Sequence, residues 1–466
     1  MVHKMRTLPS AVACMLLLDV SKALMHSSTP VRSFSGADTI REPDGQWLLK
    51  NGDVQRSGAT HSIAPRMLAK GPTWDWREPG SEVVRASPLI DEEQNVILST
   101  LPGDIFKFSR QGEQLWKFSA GTELPAVPAL MDGVVYTARP DGVLLAVDAN
   151  TGQLLWDLKV DQESPGDTHS LLAVDGLVIF CVGPKRDYLN GPSYSFAAIS
   201  ANDRKEIWRF TGAPLYNFLP AVYNGSVLFE SVYGVVYRVN LQDGSLIWKQ
   251  EPLGDEASRS FTTGGATVDG DGNIYAAHNY DLNGDRTVGR GVVTARRFSD
   301  GQLLWHREFE NGAFAGPAVG RLDGTADSPL AVFVPIENNL PFPANFTGYI
   351  LEDGSAYALD AATGETLWRY DFAPWYGAAR GDTFSHICWP DSFANPAVDG
   401  KGTAYFGRAD GFVYAMHDDN HNGMIDASEL SKFDAGVAYQ GSPAISDNML
   451  AMADCSGLRV FMQDAV

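Results

Sequence analysis

Ala146-Val147-Asp148-Ala149-Asn150-Thr151-Gly152-Gln153-Leu154-Leu155-Trp156 returns almost letter for letter as Ala358-Leu359-Asp360-Ala361-Ala362-Thr363-Gly364-Glu365-Thr366-Leu367-Trp368. Each copy sets an alternating apolar run against a second run that ends in tryptophan, with Asp and Gly between them. Gly supplies the positive φ that a tight turn needs and Asp bonds back to the backbone, so each copy reads as a β-hairpin. Looser copies end at Trp116, Trp208, Trp248 and Trp305. One hairpin repeated along the chain decides the fold class, all-β.

Working outward, the aromatics taken to close successive units are Trp76, Trp116, Trp156, Trp208, Trp248, Trp305, Trp368 and, by position, Phe433. Their spacings are 40, 40, 52, 40, 57, 63 and 65 residues. A base period of 40 matches a four-stranded antiparallel propeller blade, and the longer intervals are the same blade carrying insertions. Full units open at pairs such as Ser87-Pro88, Val127-Pro128, Gly316-Pro317 and Asn395-Pro396. The strands of a unit are called A to D in chain order. Gly441 to Met462 supply strands A, B and C with no closing Trp, whereas Pro72 to Gly80 supply a lone strand D. Joined, they make an eighth blade from both termini, which closes the ring and removes its open sheet edges. The expectation is an eight-bladed β-propeller, with a seven-bladed ring as the alternative.

The Ala-x-Asp-x-x-Thr-Gly-x-x-x-Trp pattern resembles the tryptophan-docking repeat of the pyrroloquinoline quinone (PQQ) dehydrogenase-like, or quinoprotein alcohol dehydrogenase-like, β-propellers. Trp47, Asn51-Gly52-Asp53 and Arg56-Ser57-Gly58 are similar to the segment that opens those chains, and the resemblance covers roughly residues 45 to 463. It implies the fold. For function it implies two classes, PQQ- and Ca²⁺-dependent oxidoreductases and non-catalytic propellers of the BamB type. The enzymes of this superfamily typically carry a vicinal cysteine pair beside the quinone and a Ca²⁺ held by Glu, Asn and Asp next to a catalytic Asp. Here the cysteines are Cys14, Cys181, Cys388 and Cys455, no two adjacent, and no such ligand set maps onto matching motifs. The leading expectation is therefore a ligand- or protein-binding module. A PQQ/Ca²⁺-dependent dehydrogenase oxidising an alcohol or sugar is the alternative.

In a blade the A–B and C–D turns emerge on one face of the ring, and the B–C and D–A connections on the other. The long connections all fall on the second face: B–C at Gly183 to Ser193, Asn279 to Arg290 and Glu337 to Asp353, and D–A at Asp161 to Ser170, Glu251 to Gly264 and Asp371 to Asn395. Long loops on a compact scaffold are commonly binding loops, so this face is the expected site for a protein or small-molecule partner. Two D–A connections share a phrase, Gly166-Asp167-Thr168-His169-Ser170 and Gly381-Asp382-Thr383-Phe384-Ser385-His386, and the second runs on to Cys388-Trp389-Pro390-Asp391. Asp167, His169, Arg259 and Trp389 are the ligand-binding candidates: Trp389 can stack on a planar ring and Arg259 can pair with an acidic group. For catalysis the candidates are His386 and Asp391, as a general base. The competing reading has Asp and Ser capping tight turns and Trp389 filling the channel. Cys388 and Cys455 both fall on this face, which predicts a disulfide between them and leaves Cys181 as a buried thiol.

The twelve residues Asp418 to Glu429 follow the EF-hand loop pattern. Asp418, Asn420 and Asn422 stand at positions 1, 3 and 5 with Gly423 at 6; Met424 offers a carbonyl at 7, Asp426 stands at 9 and Glu429 at 12. The loop replaces the Thr-Gly turn between strands C and D of blade seven and has no partner EF-hand, which predicts a structural Ca²⁺. A second acidic stretch, Asp281 to Asp285, lacks the Gly and the final Glu and reads as an ordinary turn.

Composition narrows the partners. A formal charge of -21 over 466 residues, with no cluster of Lys and Arg, argues against nucleic acid. His3, Lys4 and Arg6 precede the apolar run Leu8 to Leu18 and a small-residue site at Ser21 to Ala23, as in a cleaved secretory signal. That run is too short to span a bilayer. The chain thus divides into a signal peptide at 1–23, a linker at 24–44 and one propeller domain at 45–466, expected to be secreted or otherwise extracytoplasmic and monomeric.

Overall fold

Asp148 and Asp360 make the same turn in the two best repeats. Asp148 Oδ1 accepts the N–H groups of Asn150 (3.0 Å) and Thr151 (2.7 Å) and the Thr151 hydroxyl (2.9 Å). Asp360 Oδ1 accepts the equivalent three from Ala362 and Thr363 at 2.9–3.0 Å. Gly152 and Gly364 then adopt φ of 70° and 75°, and the chain returns as the next strand. The computed structural model describes residues 45–463 apart from 81–83, 85, 165–168, 184–193, 216, 254–261, 263–264, 282–288, 338–349, 378 and 382–392. In it these hairpins belong to eight four-stranded antiparallel sheets arranged as an eight-bladed propeller. No helix among the described residues is long and apolar enough to cross a membrane.

Blades one to seven are consecutive in sequence, starting at Leu89, Ala129, Leu172, Ala221, Thr267, Ala318 and Ala397. The eighth takes Ala444–Ser446, Met449–Asp454 and Gly457–Met462 from the C-terminus and Trp74–Arg77 from the N-terminus. Register there runs from Trp74↔Val460 to Arg77↔Gly457, so the expected closure of the ring is borne out.

Several blades hold the next through a tryptophan. Trp116, Trp208, Trp248 and Trp305 donate from Nε1 to carbonyls in the C–D turn of the following blade: Ala149 (3.0 Å), Leu241 (2.8 Å), Phe298 (3.0 Å) and Ala361 (2.8 Å). The indole lies on the turn glycine. A Cβ at Gly152 would sit 2.7 Å from Trp116, and one at Gly244 2.5 Å from Trp208. The glycine of the repeat thus serves two needs, positive φ and direct contact with a ring.

Two of the expected closing aromatics are displaced by two residues. In blade eight Trp74, not Trp76, donates to the Arg110 carbonyl (2.8 Å) and covers Gly112. Trp76 packs instead on Phe106 and Phe108. In blade seven Ser431 pairs with Ala415 as Trp368 pairs with Ala358, and Phe433 lies two residues on. Gly71, at φ 86°, lies against the Phe433 ring, but strands C and D of blade eight come from opposite parts of the chain and no C–D turn joins them. Instead the Ser431 hydroxyl accepts the N–H groups of Leu68 (2.8 Å) and Ala69 (3.3 Å) from the N-terminal segment.

That segment also fills the axis of the ring. From Gly45 to Thr60 it bonds to the innermost strand of each blade or to the residue leading into it. Trp47 exchanges two backbone bonds with Ile90 of blade one, and Leu130 of blade two donates to Leu48. Val222, Val268, Val319 and Val398 of blades four to seven donate to Val54, Gln55, Ser57 and Gly58 at 2.6–3.1 Å. Ser446 of blade eight donates to the Gly45 carbonyl (2.8 Å). Blade three is reached by a side chain: the buried Arg56 guanidinium donates to Leu171 O (2.9 Å), and also to Pro220 O (2.9 Å) and Lys50 O (2.6 Å).

Candidate functional site

The described parts of the long connections emerge together at the B–C and D–A ends of the blades. Two of them clasp each other: Ile350–Glu352, from the B–C loop of blade six, pairs antiparallel with Trp375–Gly377, from the D–A connection that leads to blade seven. The channel below is floored by the Gly45–Thr60 segment, where Asn395 at the start of blade seven donates to the Asn51 amide oxygen (3.3 Å) and accepts the Gly316 N–H (2.9 Å).

Of the ligand-binding and catalytic candidates, His169 lies within the described residues. Asp167, Arg259, His386, Trp389 and Asp391 lie outside them, as do Cys388 and most of the Asp281 to Asp285 stretch. His169 is fully buried and neither ring nitrogen has a hydrogen-bond partner. Its backbone carbonyl accepts from Val127 (2.9 Å), which stitches blade three to blade two. Burial holds the imidazole down to about 4. A histidine neutral in the fold and ordinary when unfolded takes up its proton in the unfolded state first. Its contribution is complete above about pH 6.5 and is lost as pH falls towards 4, on the order of 3 kcal/mol. Replacing His169 by phenylalanine is therefore expected to flatten the fall in unfolding free energy between pH 7 and pH 5. An unchanged slope in urea titrations at the two pH values rejects this account.

Sequence reasoning missed a buried acid–imidazole pair. Glu230, at the end of strand B in blade four, and His278, on strand B of blade five, face each other across the blade interface with Nδ1 3.6 Å from Oε1. Both side chains are nearly inaccessible, and burial pushes the Glu230 carboxyl up. The Tyr280 ring lies edge-on to His278. The available signal was an acid and an imidazole at the ends of otherwise apolar B strands, Ser-Val-Leu-Phe-Glu and Ile-Tyr-Ala-Ala-His. Arg56 and Asn51 were visible only as part of the opening motif.

Cys455 is buried and disulfide-bonded, and Cys181 is a free buried thiol pushed up by desolvation. The expected partner of Cys455, Cys388, lies outside the described residues.

On the opposite face, residues 418–429 fold as a chain of Asx turns. Asp418 accepts the N–H groups of Asn422 and Gly423, Asn420 that of Asn422, Asn422 that of Met424, and Asp426 that of Ser428. The Glu429 carboxylate spans the loop, accepting from Asn420 N and Asp426 N at 3.0 Å each. Asp418 and Glu429 are buried, whereas Asn420 and Asp426 are exposed. The donor set, oxygens from positions 1, 3, 5, 7, 9 and 12 of the loop, suits a hard cation. Among the described residues no three His, Cys, Asp or Glu side chains converge as a metal-binding group, and the loop carboxylates accept backbone N–H groups.

The family model described as "Outer membrane protein assembly factor BamB" matches residues 102–370. An outer membrane protein assembly factor BamB of Yersinia pestis is 23% identical over 60% of this chain and 65% of its own length. The quinohemoprotein alcohol dehydrogenase ADH-IIG of Pseudomonas putida is 25% identical over 78% of this chain and 51% of its own length. The chain thus spans about two thirds and one half of these relatives. In three dimensions the crystal structure of BamB from Moraxella catarrhalis superimposes with a TM-score of 0.56 at 16% identity, covering 84% of this chain and 99% of that one. Eight four-stranded blades built on a tryptophan-ended hairpin repeat, and a family match over more than half of its length, establish that the chain belongs to the PQQ-repeat β-propeller family described as outer membrane protein assembly factor BamB.

Proposed function

We propose that this chain is an extracytoplasmic protein-binding propeller that docks its partner on the long-loop face and carries a structural Ca²⁺ at Asp418 to Glu429. The observation that carries the reading is the placement of its variable chain. The connections of one face are elongated and two of them pair as strands, above a channel that the protein's own N-terminal segment fills. A filled channel leaves the loops, not an axial pore, as the recognition surface. The similarity to assembly factors agrees with this choice.

The second reading, a PQQ-dependent dehydrogenase with His386 or Asp391 as base and Trp389 stacking on the quinone, is favoured by the similarity to the Pseudomonas putida enzyme over most of this chain. The first reading is supported by the axis itself, where Asn51 and Arg56 of the N-terminal segment bond to the inner ends of the blades. Two measurements separate the readings. A photo-crosslinking residue at Trp375 is expected to capture a protein partner that the same residue at Asp132, on the short-turn face, does not. Purified chain given PQQ and Ca²⁺ is expected to reduce no dye across a panel of alcohols and sugars. Turnover in that assay, or crosslinks confined to position 132, rejects the protein-binding reading.

A further inference from the structure

Three elements meet at the 418–429 loop. On one flank, Gly423 to Ile425 lie along the outer edge of blade six: Arg369 N donates to Gly423 O (3.0 Å) and Ile425 N to Arg369 O (3.0 Å). The Ile425 side chain is buried in the cluster that contains Trp368. This takes the place of the indole-on-glycine dock seen at Gly152, Gly244, Gly301 and Gly364. On the other flank lies the strap that links the channel segment to the closing strand Trp74–Arg77. Within it Ala64 N donates to Asp399 Oδ2 (3.2 Å) and Leu68 N to Ser431 Oγ (2.8 Å).

Arg66 is the centre of this junction. Its guanidinium forks onto the Asp419 carboxylate at 2.8 and 2.6 Å and donates to the carbonyls of His417 (3.3 Å) and Glu429 (3.0 Å). Those residues stand at the start and the end of the twelve-residue loop. One side chain of the strap therefore grips both ends of the loop, eight residues before the strand that closes the ring.

We propose that cation occupancy of the 418–429 loop sets how firmly the closing strand Trp74–Arg77 is held, so that the loop is a calcium-dependent latch on the ring. This rests on the Ca²⁺ reading above. A cation drawing in Asp418, Asp426 and Glu429 fixes the two ends of the loop at the spacing that Arg66 bridges. Without it, the loop is held only by its Asx turns and the Glu429 bridge, the ends gain freedom, and the fork onto Asp419 and Glu429 O loosens. Trp74 then loses support on the strap side, although its pairing with Val460 and its dock on Gly112 remain.

Amide hydrogen exchange of the full chain, followed by mass spectrometry in 1 mM CaCl₂ and in EGTA, tests the latch, with calorimetric Ca²⁺ titration in parallel. At a Ca²⁺ concentration about 100 times Kd, linkage allows up to about 100-fold slower opening of whatever the loop holds. The expected result is at least about tenfold slower exchange in both 418–429 and 73–77, with 96–108 of blade one unchanged. In Arg66→Gln the calorimetric affinity is expected to stay within about threefold and the protection of 418–429 to persist, while the protection of 73–77 is lost. Asp419→Asn, which keeps the fold but weakens the fork, is expected to lose part of the same protection. No heat of Ca²⁺ binding overturns both the calcium reading and the latch. Binding that protects 418–429 but not 73–77 in the wild-type chain, or protection of 73–77 that survives Arg66→Gln, overturns the latch alone.

Discussion

Arg56→Ala is expected to lower the unfolding free energy by about 4 kcal/mol, read as a reduced urea midpoint with unchanged m-value. The guanidinium is buried and donates to the carbonyls of Lys50, Leu171 and Pro220, so removing it leaves up to three buried acceptors unmet. Each such acceptor costs roughly 1–3 kcal/mol, and water entering the space recovers part of that. Arg56→Lys should rescue little, because a compact ammonium cannot reach carbonyls on the channel segment and on blades three and four at once. A loss below about 1 kcal/mol for Arg56→Ala would show that backbone bonds alone hold the channel segment.

A pair of glycine substitutions separates the two roles of the repeat glycine. Gly244→Ala places a Cβ 2.5 Å from Trp208 at φ +69°, and Gly133→Ala places one in open space at φ +72°. The backbone cost is shared, on the order of 1 kcal/mol. Gly244→Ala additionally forces the indole off the turn and strains its bond to Leu241 O, so a total of about 3 kcal/mol is expected. Thermal unfolding of the two variants side by side checks the difference. Equal losses would mean that the tryptophans fill space without docking.

Much of this architecture was legible because it is local. An Asp that accepts N–H groups two and three residues on, followed by a Gly at positive φ, makes its hairpin without help from the rest of the chain, and so the repeats could be counted. The errors arose where locality ends. Trp74 and Trp76 share one face of a strand, since side chains alternate with a period of two, and nothing in the sequence says which of them meets Gly112. The same ambiguity placed Phe433 where Ser431 stands. The site was less legible. His169 was singled out for a loop phrase, yet it is buried with its imidazole unpaired, and Glu230 and His278 lie 48 residues apart on strands that read as apolar.

By itself the sequence determined the hairpin, the period, the number of blades and the joining of the two ends, because each depends on turn chemistry within a few residues or on complementarity of whole strands. Tertiary structure alone decided that Gly45 to Thr60 fill the channel, that Arg56 serves blades three and four, that Ser431 receives the strap, and that Arg66 grips the ends of the 418–429 loop. Those contacts join positions up to about 400 residues apart in sequence. Their partners are mostly backbone carbonyls and N–H groups, which every residue carries, so no residue pattern marks them before the ring is closed.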